Sequence, residues 1–584
     1  MLIWDGRYKI ERTLGEGGMG QVFLARDLAM EERTVALKLL LPEFSDATAE
    51  FMREYVLQRR LRHPSIPQVW DFGFGRHSQG EVPYFAMEYV PGVSLARALH
   101  QMKAPRDAWP WVIDVLRGLD HLHNSGFLHR DLKPGNILVQ ESYDPAAGTG
   151  PAAQLIDYGI AIPIDATPEE LFIGTPEYSA PELMAGDPFD VRQDLYAIGL
   201  LLYEIVAGRR PWDQEDPTEL WEQRTYGSYA PLRHPDCSVE LALLIDDLLR
   251  VNVARRPANA AEVLIRFVDA VGHPCELETT EAFRMRLDAL PFGDQPHFQR
   301  AARDWHAGLR VDLGDDERPA ILMVDAPSGH DGRAFLHELT DRGAVGGSRV
   351  LRIELNRSRY APLEPLQPAL AVFKRLRESR APDAFIPSLA GMAGAATMLT
   401  RLHGPTILAI EGLQRADAAT LEVLATVFSG AANAKLRVIA SVDPDEAPAA
   451  PDAFERLTRS RYVRRVSPVP LTHDPTIRWI TSAIGQGSIE SGYAERLFEK
   501  AEGRPGQIRA LMTEDYSAGH IQRLVDGFEI QAFPSAESRT EPDSRDVAFV
   551  DLLSVLEDPL PEAALRTYLA EYVDYLPYLL GDGT

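Results

Sequence analysis

Cysteine is nearly missing from this 584-residue chain, which has only Cys237 and Cys275. Two thiols build neither a disulfide framework nor a zinc site, so the reading they favour is two lone buried thiols. Positive charge is also in short supply. Sixty Lys and Arg face 86 Asp and Glu, a net charge of −26 at neutral pH. That argues against nucleic acid as the main partner, because phosphate binding needs a basic surface. Long apolar runs are missing too. The longest, 195–208, contains Tyr196 and Glu204; it is too short to span a bilayer and reads as a buried core helix. The start, Met1-Leu2-Ile3-Trp4-Asp5-Gly6-Arg7, lacks the basic and apolar stretches of a secretory signal. No internal repeat is visible. The expectation is a cytoplasmic protein with neither a membrane nor a nucleic-acid partner.

What is present is an ordinary globular composition, 45% hydrophobic and 25% charged, over a length too great for one core. Residues 7–90 alternate glycine-rich turns with short β-type runs and one helical segment, 47–61. Residues 92–270 have helical apolar spacing, interrupted by a polar loop at 140–153 between two short strands. A connector follows at 276–296. From Ala320 the runs 321–324, 350–355, 406–410 and 436–442 alternate with helices, the pattern of a parallel α/β sheet. Residues 531–546 are polar, and 547–580 read as two or three short helices. The expected class is multidomain, α+β and then α/β. Its divisions are 1–272 (lobes 1–90 and 91–272), a connector 273–296, an α/β domain 297–530, a linker 531–546 and a small helical segment 547–584.

Several motifs carry chemistry. Leu14-Gly15-Glu16-Gly17-Gly18-Met19-Gly20-Gln21-Val22 fits GxGxxGxV between two strands. Glycines let backbone amides lie close to phosphate oxygens, although gly-rich turns are common and this motif alone is weak. Lys38 follows Val22 by 16 residues, and Glu54 on the next helix is its obvious partner; taken singly, each would be a solvated surface charge. The decisive run is His129-Arg130-Asp131-Leu132-Lys133-Pro134-Gly135-Asn136, followed 21 residues after Asn136 by Asp157-Tyr158-Gly159. Phosphoryl transfer needs a carboxylate to orient the attacking hydroxyl, cations over the phosphates, and oxygen ligands for Mg²⁺. Asp131, Lys38 with Lys133, and Asn136 with Asp157 supply one set of each.

With these residues in order, the chain over about 7–270 closely resembles the eukaryotic-type (Hanks-type) serine/threonine protein kinases found in bacteria. The resemblance extends to Ala180-Pro181-Glu182, to Asp194 as the brace of the catalytic loop, and to Arg256 as the partner of Glu182. It implies a bilobal fold, transfer of the ATP γ-phosphate to protein substrates, and Mg²⁺, or Mn²⁺ in its place. Lys133 and Gly174-Thr175-Pro176-Glu177-Tyr178 resemble the serine/threonine class, with Thr175 positioning Lys133 and Asp131. The hinge would be Met87-Glu88-Tyr89-Val90, its backbone at Glu88 and Val90 meeting adenine between Leu14, Val22, Ala36 and Leu138. One departure is Tyr158, where the family usually has Phe; its added hydroxyl needs a partner. Thr167 is the one threonine in the variable part of the segment before Thr175. Arg130 would receive a phosphate placed there; a plain solvated loop is the other reading.

The region 290–530 resembles, less closely, the AAA-like ATPase modules of signalling proteins (the STAND class), with Phe292-Gly293-Asp294 where such modules begin. Where a P-loop-like domain would read GxxxxGK[ST], this chain has Pro327 at the first glycine, Arg333 for the lysine and Ala334 for the hydroxyl. Glu411 is followed by Gly412 where paired acids are usual. The expectation is a non-catalytic module, regulatory or binding a regulatory protein through 297–584, with residual nucleotide binding through Arg333 as the alternative. Residues 547–580 vaguely resemble a winged helix; helices packed on the preceding domain account for them equally well. Two competing readings of the whole chain are a silent scaffold and a nucleotide-dependent switch.

Overall fold

The computed structural model describes residues 2–16, 20–77, 80–140, 150–159, 161–164, 175–185, 190–212, 214, 216–290, 300, 305, 320–327, 332–357, 359–380, 391–402, 404–429, 435–467 and 469–531. The chain divides into two compact units, Met1–Ile530 and Gln531–Thr584. Apart from Gln531, the expected linker lies outside the described residues, as do the terminal helical segment, Gly17, Gly18, Met19, Thr167 and Phe292-Gly293-Asp294.

The first lobe is an antiparallel sheet of six strands: β1 (Ile3–Trp4), β2 (Tyr8–Glu16), β3 (Gly20–Asp27), β4 (Arg33–Leu40), β5 (Val69–His77) and β6 (Gly80–Glu88), in the order β1-β2-β3-β4-β6-β5. One helix, α1 (Thr48–Arg60), packs on it, matching the expected 47–61 segment after a 3₁₀ turn at Pro42–Ala47. The second lobe holds β7 (Val93–Ser94), α2 (Leu95–Leu99), α3 (Trp109–Asn124), β8 (Phe127–Leu128), β9 (Ile137–Val139), β10 (Ala153–Leu155), β11 (Ile162–Pro163), α4 (Pro181–Ala185), α5 (Arg192–Ala207), α6 (Pro217–Tyr226), α7 (Val239–Leu248) and α8 (Ala260–Val271). The apolar run 195–208 is the buried core helix α5, stopped by Gly208 at φ 68, where a side chain would be strained. Asn259 caps α8 by accepting from the Glu262 amide.

Two expectations change in detail. Cys237 and Cys275 are free but only partly buried. The connector is not bare chain: it forms α9 (Thr280–Ala289), whose Phe283 stacks on Tyr516 with ring centroids 4.1 Å apart.

Beyond it lies a second, wholly parallel sheet: β12 (Ile321–Asp325), β13 (Arg349–Glu354), β14 (Thr406–Glu411), β15 (Leu436–Val442) and β16 (Val463–Val466), in the order β13-β14-β15-β12-β16. β12 and β15 are buried along their whole length, which is why they read as continuous apolar runs. Between β12 and β13 runs α10 (Gly332–Val345), and between β13 and β14 lie α11 (Gln367–Arg380) and α12 (Met392–Thr400). The edge strand β16 was not legible, because its middle is Arg464-Arg465 and exposed. Among the described residues, no helix is long and apolar enough to cross a membrane.

Candidate active site

Strand pairing aligns the cleft. Val22 lies opposite Lys38, Gly15 opposite Val22, and Ala36 sits between Leu24 and Met87. Leu14, Val22, Met87 and Leu138 are partly buried, while Ala36 and Val90 are buried. These apolar side chains form the walls expected for a flat ring. The Glu88 amide donates to the Gln68 carbonyl at 2.8 Å, and the Glu88 carboxylate accepts from the Gln68 amide at 3.2 Å, so the hinge is fixed on one side. Gly15 and Gly20, at the two ends of the glycine motif, differ in purpose. A Cβ at Gly15 would meet nothing within 4 Å, but one at Gly20 would stand 2.3 Å from the Leu39 carbonyl. Gly20 is therefore demanded by the next strand.

Lys38 Nζ lies 2.5 Å from Glu54 Oε1 and 3.4 Å from Asp157 Oδ1. Burial alone would lower the Lys38 ammonium, but Glu54 and Asp157 outweigh it and hold its pKa above the usual value. Burial pushes the Glu54 carboxyl up, against the pull of Lys38. A Cβ at Gly159 would come within 3.4 Å of Asp157 and 3.6 Å of Glu54, so the glycine leaves this pair its room.

Asp131 is the centre of a second cluster. Its Oδ1 accepts from the Thr175 hydroxyl at 2.6 Å and the Thr175 amide at 3.1 Å. Its Oδ2 accepts from Lys133 Nζ at 2.7 Å and Asn136 Nδ2 at 2.9 Å. Lys133 also reaches the Thr175 hydroxyl at 2.7 Å. Burial raises the Asp131 carboxyl, but hydrogen bonds from Lys133 and Thr175 win, and the net pKa lies below the usual range. The Ile156 amide donates to the Asn136 carbonyl at 2.9 Å, which ties the two expected metal ligands together: Asp157 is the next residue. Glu16 and Gln21 bond each other at 2.6 Å across the loop.

The support is buried. Asp194 accepts from the His129 amide, the Arg130 amide and His123 Nε2, each at 2.9 Å. Burial pushes its carboxyl up, yet the bonds from His123 and the His129 amide bring it below the usual range. This brace holds Arg130 at φ 67; Asp157 sits at φ 66. Both residues lie in the left-handed region, which costs a non-glycine residue about 1 kcal/mol or more. Glu182 and Arg256 form a two-pronged pair at 2.7 and 2.8 Å with Arg256 wholly buried. The Tyr158 hydroxyl finds its partner in the Leu155 carbonyl at 3.0 Å.

Two residues were missed in the sequence. His123 donates to Asp194, and Arg224, buried on α6, donates to the carbonyls of Pro176 at 2.7 Å, Glu177 at 2.5 Å and Ser179 at 2.5 Å. Arg224 thereby holds the segment after Thr175. Nothing local in the sequence separates it from any other helical arginine.

Residues 8–267 match the family model described as the protein kinase domain. The chain is 33% identical over 304 residues to the serine/threonine-protein kinase PknB of Mycolicibacterium smegmatis, covering 50% of this chain and 47% of that protein. PknB of Mycobacterium leprae is 35% identical over 268 residues, 44% of this chain and 42% of its own. The serine/threonine-protein kinase pkn3 of Myxococcus xanthus is 33% identical over 307 residues, 49% of this chain and 52% of its own. The chain thus spans about half the length of the curated relatives it matches.

Proposed function

We propose that this chain, through its protein kinase domain, transfers the γ-phosphate of ATP to serine or threonine side chains of protein substrates. The observation that carries this reading is the Lys38 ammonium bridging Glu54 at 2.5 Å and Asp157 at 3.4 Å. Phosphoryl transfer of this kind requires that ion pair and the metal-binding aspartate together. Lys38 holds the inner phosphates under the loop 15–22. The Glu88 carbonyl and Val90 amide meet adenine. Asp131, held ionised, orients the acceptor hydroxyl and takes its proton; Lys133 lies where the transferring phosphate passes.

The residues present suit Mg²⁺. Asn136 spends its amide nitrogen on Asp131, which leaves its oxygen for a metal, and the Asp157 side chain is 47% exposed. Two hard oxygen donors fit Mg²⁺, and Mn²⁺ also. When bound, the ion neutralises charge on the phosphates. Incubating the full chain with γ-labelled ATP and Mg²⁺ and hydrolysing the product tests the reading. Phosphoserine or phosphothreonine is expected; no label, or phosphotyrosine alone, contradicts it.

For residues 297–530 the reading is a non-catalytic regulatory module of P-loop-like design, acting in the cytoplasm through protein contacts. Pro327, Arg333 and Ala334 support it, standing where the motif needs Gly, Lys and Ser or Thr. Glu411 lies 3.3 Å from His337 Nε2, a partner other than a metal. Equilibrium dialysis of the full chain should find one ATP per chain; two would contradict this half of the reading.

A further inference from the structure

The helix that carries Glu54 belongs to two cores. While Glu54 reaches Lys38, Phe51 and Tyr55 on the same helix are buried in one continuous apolar cluster with Leu336 and Leu339 of α10 and Val350 and Ile407 of the second sheet. α1 has 13 residues and no side-chain hydrogen bond at its N-cap. A helix that short owes its stability to what it packs against. α1 packs on β5 and β6 of the first lobe, and the apolar cluster it belongs to continues into the second domain.

A ladder of ion pairs runs beside the apolar contact. Asp27 pairs with Arg7 at 2.7 Å, Arg7 with Asp71, Asp71 with Arg352 at 3.3 Å, Arg352 with Asp341 at 2.9 Å, and Asp341 with Arg59 at 2.8 Å. Three cations alternate with three anions. The ladder crosses from the first sheet to β13 and α10 and ends in the last turn of α1. Arg59 donates in addition to the Val69 carbonyl at 3.2 Å. The six side chains are between 5% and 22% exposed. Charges this shielded are tolerable only while each keeps its partner, so moving α1 outward would part Arg59 from its carboxylate, while Asp341 would keep Arg352.

We propose that Asp341, backed by Arg352, is a positioning residue for phosphoryl transfer: by holding Arg59 it fixes α1 where Glu54 meets Lys38. The inference rests on the kinase reading and gives the second domain a part in it, as a built-in clamp on the helix that orients the phosphate-binding lysine.

The test uses the full chain, with phosphate transfer to itself and to casein as the readout. Asp341→Asn should lower kcat at saturating ATP at least tenfold in protein that still melts cooperatively. A purely structural contact would lower the melting temperature and leave kcat per folded molecule alone. Coupling is the second readout. Once Glu54→Gln has removed the group through which Asp341 acts, adding Asp341→Asn should cost less than a further twofold. Arg59→Gln removes the same pair from the other side and should behave alike. A kcat within twofold of wild type, or effects that multiply, overturns the proposal. If neither variant folds, hydrogen exchange on the wild-type chain decides: 48–60 and 332–345 should open together, and earlier opening of 48–60 alone overturns it. A wild-type chain that transfers no phosphate refutes the kinase reading instead, and the exchange arm still decides whether the second domain holds α1.

Discussion

Glu54 and Arg59 share one helix, yet Glu54 pairs with Lys38 at 2.5 Å in the nucleotide cleft and Arg59 pairs with Asp341 at 2.8 Å in the second domain. The latter partners are 282 residues apart in sequence. The helix thus links the Lys38 ammonium to α10 of a second domain that has its own core.

The Tyr158 hydroxyl, the departure from the usual Phe, is a satisfied buried group that donates to the Leu155 carbonyl. Tyr158→Phe should therefore cost about 0.5–1.5 kcal/mol of stability and leave phosphate transfer within roughly twofold, since the ring keeps its place against His129. Urea unfolding and initial rates measure the two effects separately.

Thr175 bonds both Asp131 and Lys133. Thr175→Ala should lower kcat roughly tenfold to a hundredfold, because the carboxylate loses its orientation, with little change in KM for ATP. A variant that raised KM and spared kcat would place Thr175 in nucleotide binding.

The Glu182–Arg256 pair is buried, and Arg256 also lies over the Tyr196 ring at 4.8 Å. Arg256→Met strands the Glu182 carboxylate and should cost about 3–5 kcal/mol, read as a fall in the urea midpoint.

Stability should also depend on two histidines. His63 and His121 stack with ring centroids 5.2 Å apart. Burial holds His63 well below the usual imidazole range, helped by His121 and Arg117, and holds His121 at about 3, helped by Arg286. Both are neutral in the fold, whereas the unfolded chain takes up protons near pH 6.5. Their stabilising contribution is present above about pH 6.5 and is lost as pH falls from there toward the folded values, by up to roughly 1.4 kcal/mol per pH unit each. The urea midpoint should drop between about pH 7 and about pH 5, and His121→Gln should flatten that slope.

The cluster around Asp131 was legible because its members come in short ordered runs: Asp131, Lys133 and Asn136 lie within six residues, and the chemistry proposed for them follows from type and spacing. The buried strands 321–325 and 436–442 were legible as apolar runs because helices cover both faces. β16 was not, since its exposed edge is arginine. Long-range pairings were equally invisible. Arg224, Arg352 and Asp341 are ordinary charged residues until the fold brings Pro176, Asp71 and Arg59 to them. Tertiary electrostatics of that kind has no local signature.

Asp131→Asn isolates the role of the Asp131 carboxylate in phosphate transfer, because it changes one oxygen to an amide without altering size. Initial rates of phosphate transfer, measured beside ATP affinity on the same preparations, give the answer. Transfer should fall roughly a thousandfold with ATP bound within about threefold of wild type, if the carboxylate acts on the acceptor hydroxyl and not on the nucleotide. Transfer retained within about tenfold would contradict that role.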